Sequence, residues 1–230
     1  KKKCFNLPTT KKIKMKKKYK VTFLLDKSNL WFEKQLKNYD FKLNNKYIFK
    51  ISKNPNNIKN QNIVFPLSYT RILSENFLQK NELVLIAHSS KLPKDKGFSP
   101  LQYQILRNKN KVYMSLIKAV KEVDAGAIYL QNSFVLNGTE LSDEIRNIQG
   151  IQVLNIIKKF LIKYPNIKSK KLIGKGNFNK RRYPKDSQLD IKKTIKQQFN
   201  HLRINDNELY PSFFYYKGQK YIIKIFKEKK

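Results

Sequence analysis

A single histidine stands directly after an apolar segment of the chain. His88 is one of two histidines in 230 residues, and it follows residues 83–87 (LVLIA) without a gap. An imidazole changes its charge near neutral pH, which suits it to moving protons. A second loop, EVDAG at 122–126, contains Asp124, and an aspartate that orients and charges a histidine is its usual partner in general acid–base chemistry. We therefore predict that His88 and Asp124 form a pair for proton transfer.

The elements around these residues must bring the pair together. Apolar runs separated by helical patterns predict strands that are buried on both faces, which is typical of a parallel sheet covered by helices. Ligands bind such sheets beyond the carboxyl ends of the strands, where His88 is expected to lie. The predicted strands are 19–26, 47–51, 62–66, 83–87, 112–117 and 127–134; the predicted helices are 28–39 with Ser28 as N-cap, 70–78, 100–106, 139–164 and 191–202.

The chain therefore reads as α/β, with a Rossmann-like, mostly parallel sheet, helices on both faces and a small β-rich C-terminal region. Residues 1–18 carry nine lysines and no acidic residue, and we expect a disordered basic tail there. Residues 19–164 are the predicted catalytic α/β domain. Residues 165–230 are predicted to form a linker and a small C-terminal subdomain that ends in a hairpin around 217–218.

Two longer stretches carry a resemblance. HSSKLPKDKGFSPLQYQIL (88–106) and EVDAGAIYLQ (122–131) resemble the formyltransferases that use 10-formyltetrahydrofolate. That family has the pattern Asn-x-His-x-Ser-x-Leu-Pro, then Gly and Pro, then Val/Ala-Asp-x-Gly. RRYPKDSQLD (181–190) and LYPSFFYYKGQKYIIKI (209–225) are similar to the C-terminal segment of the nucleotide-sugar members. The matching positions are His88, Ser90, Leu92, Pro93, Gly97, Pro100, Asp124 and Gly126.

The resemblance implies an enzyme that moves a formyl group from 10-formyltetrahydrofolate to the amine of a nucleotide-linked amino sugar. It implies that Asp124 positions His88 and that the two handle the proton of the attacking amine. Folate-binding candidates by match are Phe65, Pro66, Leu67, Val123 and Asp124, although a core role is an open alternative for each. We assign substrate binding to Ser90, Lys96 and Arg182, the last as a contact for a diphosphate or as a solvated linker residue.

One position departs from the family pattern. Ile86 occupies the place of the asparagine that lies two residues before the histidine. Asn81 is too far along the strand to replace it, so Ser89, Ser90 or a backbone amide is expected to supply the missing donor. The N-terminal half is also short for the family, which suggests that one strand–helix unit is absent.

The formal charge of +34 has two readings. It fits a polyanionic partner, which keeps open a methionyl-tRNA formyltransferase acting on tRNA, or a non-catalytic nucleic-acid-binding protein on this fold. The bias toward Lys, Asn and Ile also arises from base composition alone, and lysine is spread over the whole chain. The oligomeric state stays open, with a homodimer among the options.

Several further features of the sequence narrow the range of possible functions. No apolar run approaches the ~20 residues of a membrane span, so we expect no membrane insertion. A single cysteine, Cys4, excludes an internal disulfide and agrees with an expected cytoplasmic location. No cluster of Cys and His suggests a metal, LIGKGN (172–177) lacks the spacing of a phosphate loop, and nothing after the first strand resembles a dinucleotide fingerprint. His201 reads as a structural residue.

Overall fold

The protein is described by a computed structural model that covers residues 18–26, 30–43 and 45–228. The expectations for the basic tail up to residue 17 and for Ser28 as a helix cap concern residues outside these ranges. The strands are β1 (Tyr19–Leu25), β2 (Tyr47–Ser52), β3 (Ile63–Leu67), β4 (Leu85–His88), β5 (Lys96–Gly97), β6 (Lys111–Lys118), β7 (Ile128–Val135), β8 (Phe178–Asn179), β9 (Ser212–Tyr216) and β10 (Gln219–Ile223). The helices are α1 (Leu30–Asn38), α2 (Glu75–Gln79), α3 (Pro100–Leu106), α4 (Ser142–Lys163) and α5 (Ile195–Ile204).

The main sheet has the order β2-β1-β3-β4-β6-β7. Strands β2, β1 and β3 pair in parallel, and a parallel bridge between Val64 and Val84 joins β3 to the segment that leads into β4. Strand β6 is antiparallel to both β4 and β7, so it alone runs against the other five. The predicted mostly parallel α/β sheet is confirmed.

Alternate residues of the buried strands face opposite layers because side chains in a strand point alternately to its two sides. Phe23 and Phe65 face the layer that contains α4, where the rings of Phe65 and Phe160 lie 6.0 Å apart. Leu24 and Val64 face the opposite layer and pack with Phe77 of α2. Helices therefore cover both faces of the sheet.

Helix α2 is shorter than predicted. It begins at Glu75 because the side chain of Ser74 accepts a hydrogen bond from the backbone N–H of Phe77, which caps the first turn. Ile72, which lies within the predicted helix 70–78, precedes the cap and is 78% exposed. Phe77, within the shorter helix, is buried.

The C-terminal region folds around the sheet's carboxyl edge. Thr194 caps α5 through a hydrogen bond from the N–H of Gln197, and β9 and β10 form the predicted antiparallel hairpin. Lys217 and Gly218 both have positive φ, the backbone shape that two-residue hairpin turns need. None of the helices in the described ranges is long and apolar enough to cross a membrane.

Candidate active site

His88 is the last residue of β4 and is only 7% exposed. Its Nε2 lies 2.7 Å from the backbone carbonyl oxygen of Asp95. A carbonyl oxygen only accepts hydrogen bonds, so Nε2 must carry the hydrogen. The other ring nitrogen, Nδ1, faces Oδ1 of Asp124 at 3.4 Å.

Asp124 lies in the loop between β6 and β7. A left-handed backbone (φ +51°) turns its carboxylate toward the loop that follows β4, where Oδ2 accepts a hydrogen bond of 2.8 Å from the N–H of Gly97. The loop then passes so close to Lys118 that a Cβ at Gly126 would lie 1.7 Å from its carbonyl oxygen. The glycine of EVDAG is therefore needed for the approach that positions Asp124.

The geometry gives the pair a defined place for one proton. With Nε2–H donated to Asp95, the lone pair of Nδ1 would face a carboxylate oxygen unless a proton lies between them. The distance of 3.4 Å is long for a direct hydrogen bond, as is common for catalytic groups without substrate. The arrangement can accept a proton between Nδ1 and Oδ1 and release it again.

Asp95 is itself held by three side chains. Its Oδ1 accepts hydrogen bonds from Arg107, from Asn177 at 3.0 Å and from Asn179 at 3.3 Å. Burial alone would raise the pKa of Asp95, but the hydrogen bond from Asn177, the charge of Arg107 and the hydrogen bond from Asn179 outweigh it and lower the pKa. The carboxylate stays ionised, and the residue whose carbonyl orients His88 is fixed in place.

Two of those side chains come from the segment predicted as a linker. Residues of β8 pair in parallel with β5, Lys96 with Phe178 and Gly97 with Asn179. The approach is tight, since a Cβ on Gly176 would lie 1.6 Å from the carbonyl oxygen of Pro93. The segment 174–179 therefore supports the loop after β4, which contacts His88 through Asp95 and Asp124 through Gly97.

A cleft of about 590 Å³ opens over this pair at the carboxyl edge of the sheet. Pro66, Leu67, Val123 and Asp124, all predicted for folate binding, line it together with His88. Phe65, the remaining folate-binding candidate, does not line the cleft. Its ring is fully buried in the core against Phe23 and Phe160, because it points into the α4 layer one residue before the strand reaches the edge.

Of the residues predicted for substrate binding, only Arg182 lines the cleft. Ser90 is fully buried, its carbonyl accepts a hydrogen bond of 2.7 Å from Ser115, and it is not part of the lining. Lys96 lies in β5 and is also outside the lining. The neighbouring Ser89 lines the cleft instead and accepts a hydrogen bond of 2.8 Å from the side-chain amide of Gln149.

Ile86 presents an apolar side chain to the cleft where the family pattern has asparagine. Asn81 cannot replace it, since its amide bonds to the backbone of Gln61 and Phe77 away from the cleft. The side-chain amide of Gln149 from α4 lines the cleft and bonds to Ser89, the residue after His88. Sequence reasoning missed Gln149 because 60 residues separate it from Ser89 and no motif connects them.

The remaining candidates lie elsewhere. His201 donates a hydrogen bond of 2.6 Å from Nε2 to the backbone carbonyl of Asp186 and is outside the lining of the cleft, and burial lowers its pKa. LIGKGN packs on the loop after His88 through Gly176 rather than opening a helix. Within the described ranges, no group of three or more His, Cys, Asp or Glu side chains could hold a metal ion.

Comparisons with known proteins agree with one another. A family model described as formyl transferase matches residues 11–149. The bifunctional polymyxin resistance protein ArnA of Wigglesworthia glossinidia brevipalpis is 28% identical over 183 residues, which cover 74% of this chain. The match covers 28% of ArnA, so the chain spans less than a third of that relative's length.

Two solved structures share the fold. The methionyl-tRNA formyltransferase of Clostridium thermocellum superposes with a TM-score of 0.75 at 20% identity, over 88% of this chain and 90% of that one. A 4-N formyltransferase of Francisella tularensis superposes with a TM-score of 0.68 at 17% identity, over 92% of this chain and 98% of that one. At these identities the two structures support the fold.

Proposed function

This chain belongs to the formyl transferase family, and we propose that it moves a formyl group from 10-formyltetrahydrofolate to the amine of a nucleotide-linked amino sugar. The observation that carries the proposal is the His88–Asp124 pair, which lies at the carboxyl edge of the sheet and opens into the cleft. Apolar groups of Pro66, Leu67 and Val123 beside the pair suit the flat ring of a folate.

The pair supplies the proton traffic that the reaction needs. An amine that attacks the formyl carbon must lose a proton, and the nitrogen that leaves must gain one. Asp124 and His88 take up the first proton between Oδ1 and Nδ1 and pass it to the departing nitrogen, so no proton is lost or gained overall. The bond from Nε2 to Asp95 holds the ring in the orientation for both transfers.

The formyl oxygen gains negative charge during the attack and needs a hydrogen-bond donor. Ile86 has none to offer. Ser89 is the best candidate, because its oxygen accepts a hydrogen from Gln149 and its own hydroxyl hydrogen is then directed elsewhere. We assign to the Ser89–Gln149 pair the part that the family asparagine plays.

Methionyl-tRNA formyltransferase is the second candidate. The C. thermocellum enzyme of that name superposes with the higher of the two TM-scores, 0.75 against 0.68. The chemistry at His88 would be the same, and only the carrier of the amine would differ.

A transfer assay decides between the two. The protein is incubated with 10-formyltetrahydrofolate and either a panel of nucleotide-linked amino sugars or methionyl-tRNA, with released tetrahydrofolate measured and products weighed by mass spectrometry. A gain of one formyl group on a sugar supports the proposal, and formyl-methionyl-tRNA promotes the second candidate. Transfer that persists in a His88→Ala variant contradicts the assigned site.

A further inference from the structure

Arginine is scarce in this chain. Only six of its 50 basic residues are arginines: Arg71, Arg107, Arg146, Arg181, Arg182 and Arg203. Lysine supplies the positive charge everywhere else, so an arginine marks a place where a planar guanidinium with its fork of donors is needed. The positions of these six residues therefore carry more information than the total charge.

Two of the six hold buried carboxylates. Arg107 bonds to Asp95 beside His88, and Arg203, with no exposed surface, lies 3.4 Å from Glu140. The other four all line the cleft: Arg71, Arg146, Arg181 and Arg182.

Two of the four cleft arginines are already engaged. Arg146 forms an ion pair of 2.8 Å with Asp206. Arg182 is half-buried and donates to the carbonyl of Asp186 at 2.9 Å and to the side chain of Asn205 at 3.1 Å. These contacts fix the C-terminal segment along the cleft and occupy both guanidinium groups.

Arg71 and Arg181 differ from the other two. Both are exposed, and neither forms an ion pair with any acidic residue of the described ranges. Each guanidinium lies over an aromatic ring, Arg71 at 5.2 Å from the centre of Tyr69 and Arg181 at 4.9 Å from that of Phe98. Arg181 also donates to the carbonyl of Thr70, the residue before Arg71, at 3.4 Å.

We propose that Arg71 and Arg181 form a phosphate clamp at the mouth of the cleft for the phosphorylated carrier of the acceptor amine. Stacking on Tyr69 and Phe98 holds the two guanidinium groups in place before the ligand arrives, which reduces the entropy lost on binding. Guanidinium forks match phosphate oxygens in pairs. This proposal rests on the proposed function and adds that the acceptor is recognised through its phosphate.

The same chemistry serves a nucleotide diphosphate and an RNA backbone. The test therefore measures KM for a nucleotide-linked amino sugar, for methionyl-tRNA and for a free amino sugar without phosphate, in the wild type and in Arg71→Gln/Arg181→Gln. KM for the carrier that the enzyme uses should rise about 10-fold to 100-fold, the activity on the free sugar should not change, and KM for 10-formyltetrahydrofolate should stay constant. The carrier whose KM rises in the double variant is the source of the phosphate that the clamp binds.

Two controls sharpen the result. Lys171→Gln/Lys196→Gln removes the same charge from exposed positions outside the cleft and should leave every KM unchanged. Arg71→Lys/Arg181→Lys keeps the charge but removes the forks, and should recover only part of the affinity. A rise in KM for the folate instead, or an equal rise for the free sugar, would overturn the proposal.

Direct binding separates this proposal from the proposed function. Calorimetry with uridine diphosphate and with inorganic pyrophosphate needs no formyl transfer. Binding by the wild type that is lost in Arg71→Gln/Arg181→Gln supports the clamp even if no acceptor is formylated, in which case the proposed function alone fails. Equal binding by both proteins, or binding by neither, overturns the clamp.

Discussion

Each ring nitrogen of His88 faces an oxygen, and the proposed proton transfer depends on both contacts rather than on the histidine alone. The carbonyl of Asp95 fixes one hydrogen on Nε2, and the carboxylate of Asp124 faces Nδ1, the atom at which we propose that a proton is gained and lost. We expect His88→Ala and Asp124→Asn each to lower turnover by about 10²-fold to 10⁴-fold, the usual contribution of general acid–base catalysis. Circular dichroism and elution volume should show an unchanged fold.

His201→Ala is the matched control for that experiment, because His201 lies outside the lining of the cleft. Its turnover should stay within a few-fold of the wild type. Full activity of His88→Ala would refute the assigned site.

Substitutions of two adjacent serines test which hydroxyl donates the hydrogen bond that the family asparagine would supply. Ser89 lines the cleft and is bonded to Gln149, whereas the hydroxyl of Ser90 is buried and has no hydrogen-bond partner among the described residues. Loss of one donor to a developing oxyanion costs about 10²-fold to 10³-fold in kcat. We expect a loss of that order for Ser89→Ala with little change in KM, and near wild-type kcat for Ser90→Ala.

Gln149→Leu should mimic Ser89→Ala, and the double variant should be no slower than the slower single one, since the two side chains act as a unit. Additive losses would mean that they act separately. A large loss in Ser90→Ala would instead favour Ser90, which is also among the donors expected from the sequence.

At the scale of elements, the spacing of apolar residues and the local start and stop signals were enough to predict most strands of the sheet. Strands such as β1 and β4 are apolar on both faces, and α3 begins at a proline as predicted. The same apolar runs do not show which residue lies at the carboxyl edge of the sheet, because a strand that is buried on both faces has no alternation of apolar and polar residues. Of the three residues of β3 that match the family's folate pocket, Pro66 and Leu67 line the cleft and Phe65 lies in the core.

The supporting contacts could not be predicted for a different reason. Strands β5 and β8 have two residues each, too few for any pattern, and Asn177 bonds to Asp95 across 82 positions of sequence. The backbone amide of Gly97 that orients Asp124 has no side-chain signal at all. Residue types could identify His88 and Asp124, whereas their orientation depends on long-range contacts that only the folded chain provides.

Gly176→Ala tests whether the β5–β8 contact positions the site. The new Cβ would lie 1.6 Å from the carbonyl of Pro93, so the segment 174–179 must move away from the loop. Overpacking of this kind costs roughly 1–3 kcal/mol of unfolding free energy. We expect kcat to fall as well, because Asn177 and Asn179 would release Asp95, and urea unfolding with parallel kinetics would measure both effects.

Gly218→Ala is the control, since a Cβ there meets nothing within 4 Å. Its positive φ makes the alanine strained by about 1–2 kcal/mol, so stability should fall without any loss of kcat. Unchanged kcat in Gly176→Ala would mean that β8 does not position the site.

The carboxylate of Asp95 accepts hydrogen bonds from Asn177 and Asn179, so the stability that these contacts provide depends on pH. Its pKa is lower in the folded state than the usual aspartate value of about 4, so its ionised form stabilises the fold above that pH. The stabilisation is lost as pH falls through the folded pKa. Asp95→Asn should therefore be less stable than the wild type near pH 7, and the difference should shrink toward zero at strongly acidic pH.

Urea midpoints at several pH values measure that difference. The Asp95→Asn/Arg107→Gln double variant should lose little more than the single variant at pH 7, because the two side chains interact. A difference that stays constant from pH 7 into the acidic range would show that the charge of Asp95 is not involved.

The net positive charge of the whole molecule affects the thermal stability of the fold. A net charge of +34 on the chain makes the folded state repel itself, and salt screens that repulsion over a Debye length of about 10 Å at 0.1 M. We expect Tm to rise by several degrees when sodium chloride increases from about 0.05 M to about 0.5 M. Reversing exposed charges with Lys168→Glu/Lys171→Glu/Lys196→Glu should raise Tm at low salt and flatten the salt dependence.

This experiment also separates the two readings of the charge. Residues 1–14 contain six lysines, and deleting them should reduce the salt dependence of Tm while turnover stays unchanged. If lysines outside the cleft bound an RNA substrate, the charge reversals and the deletion would raise KM for methionyl-tRNA, and a steep loss of affinity with salt would accompany them. If only the arginines of the cleft recognise the substrate, the same variants would leave every KM unchanged, and the lysine excess would be a matter of composition.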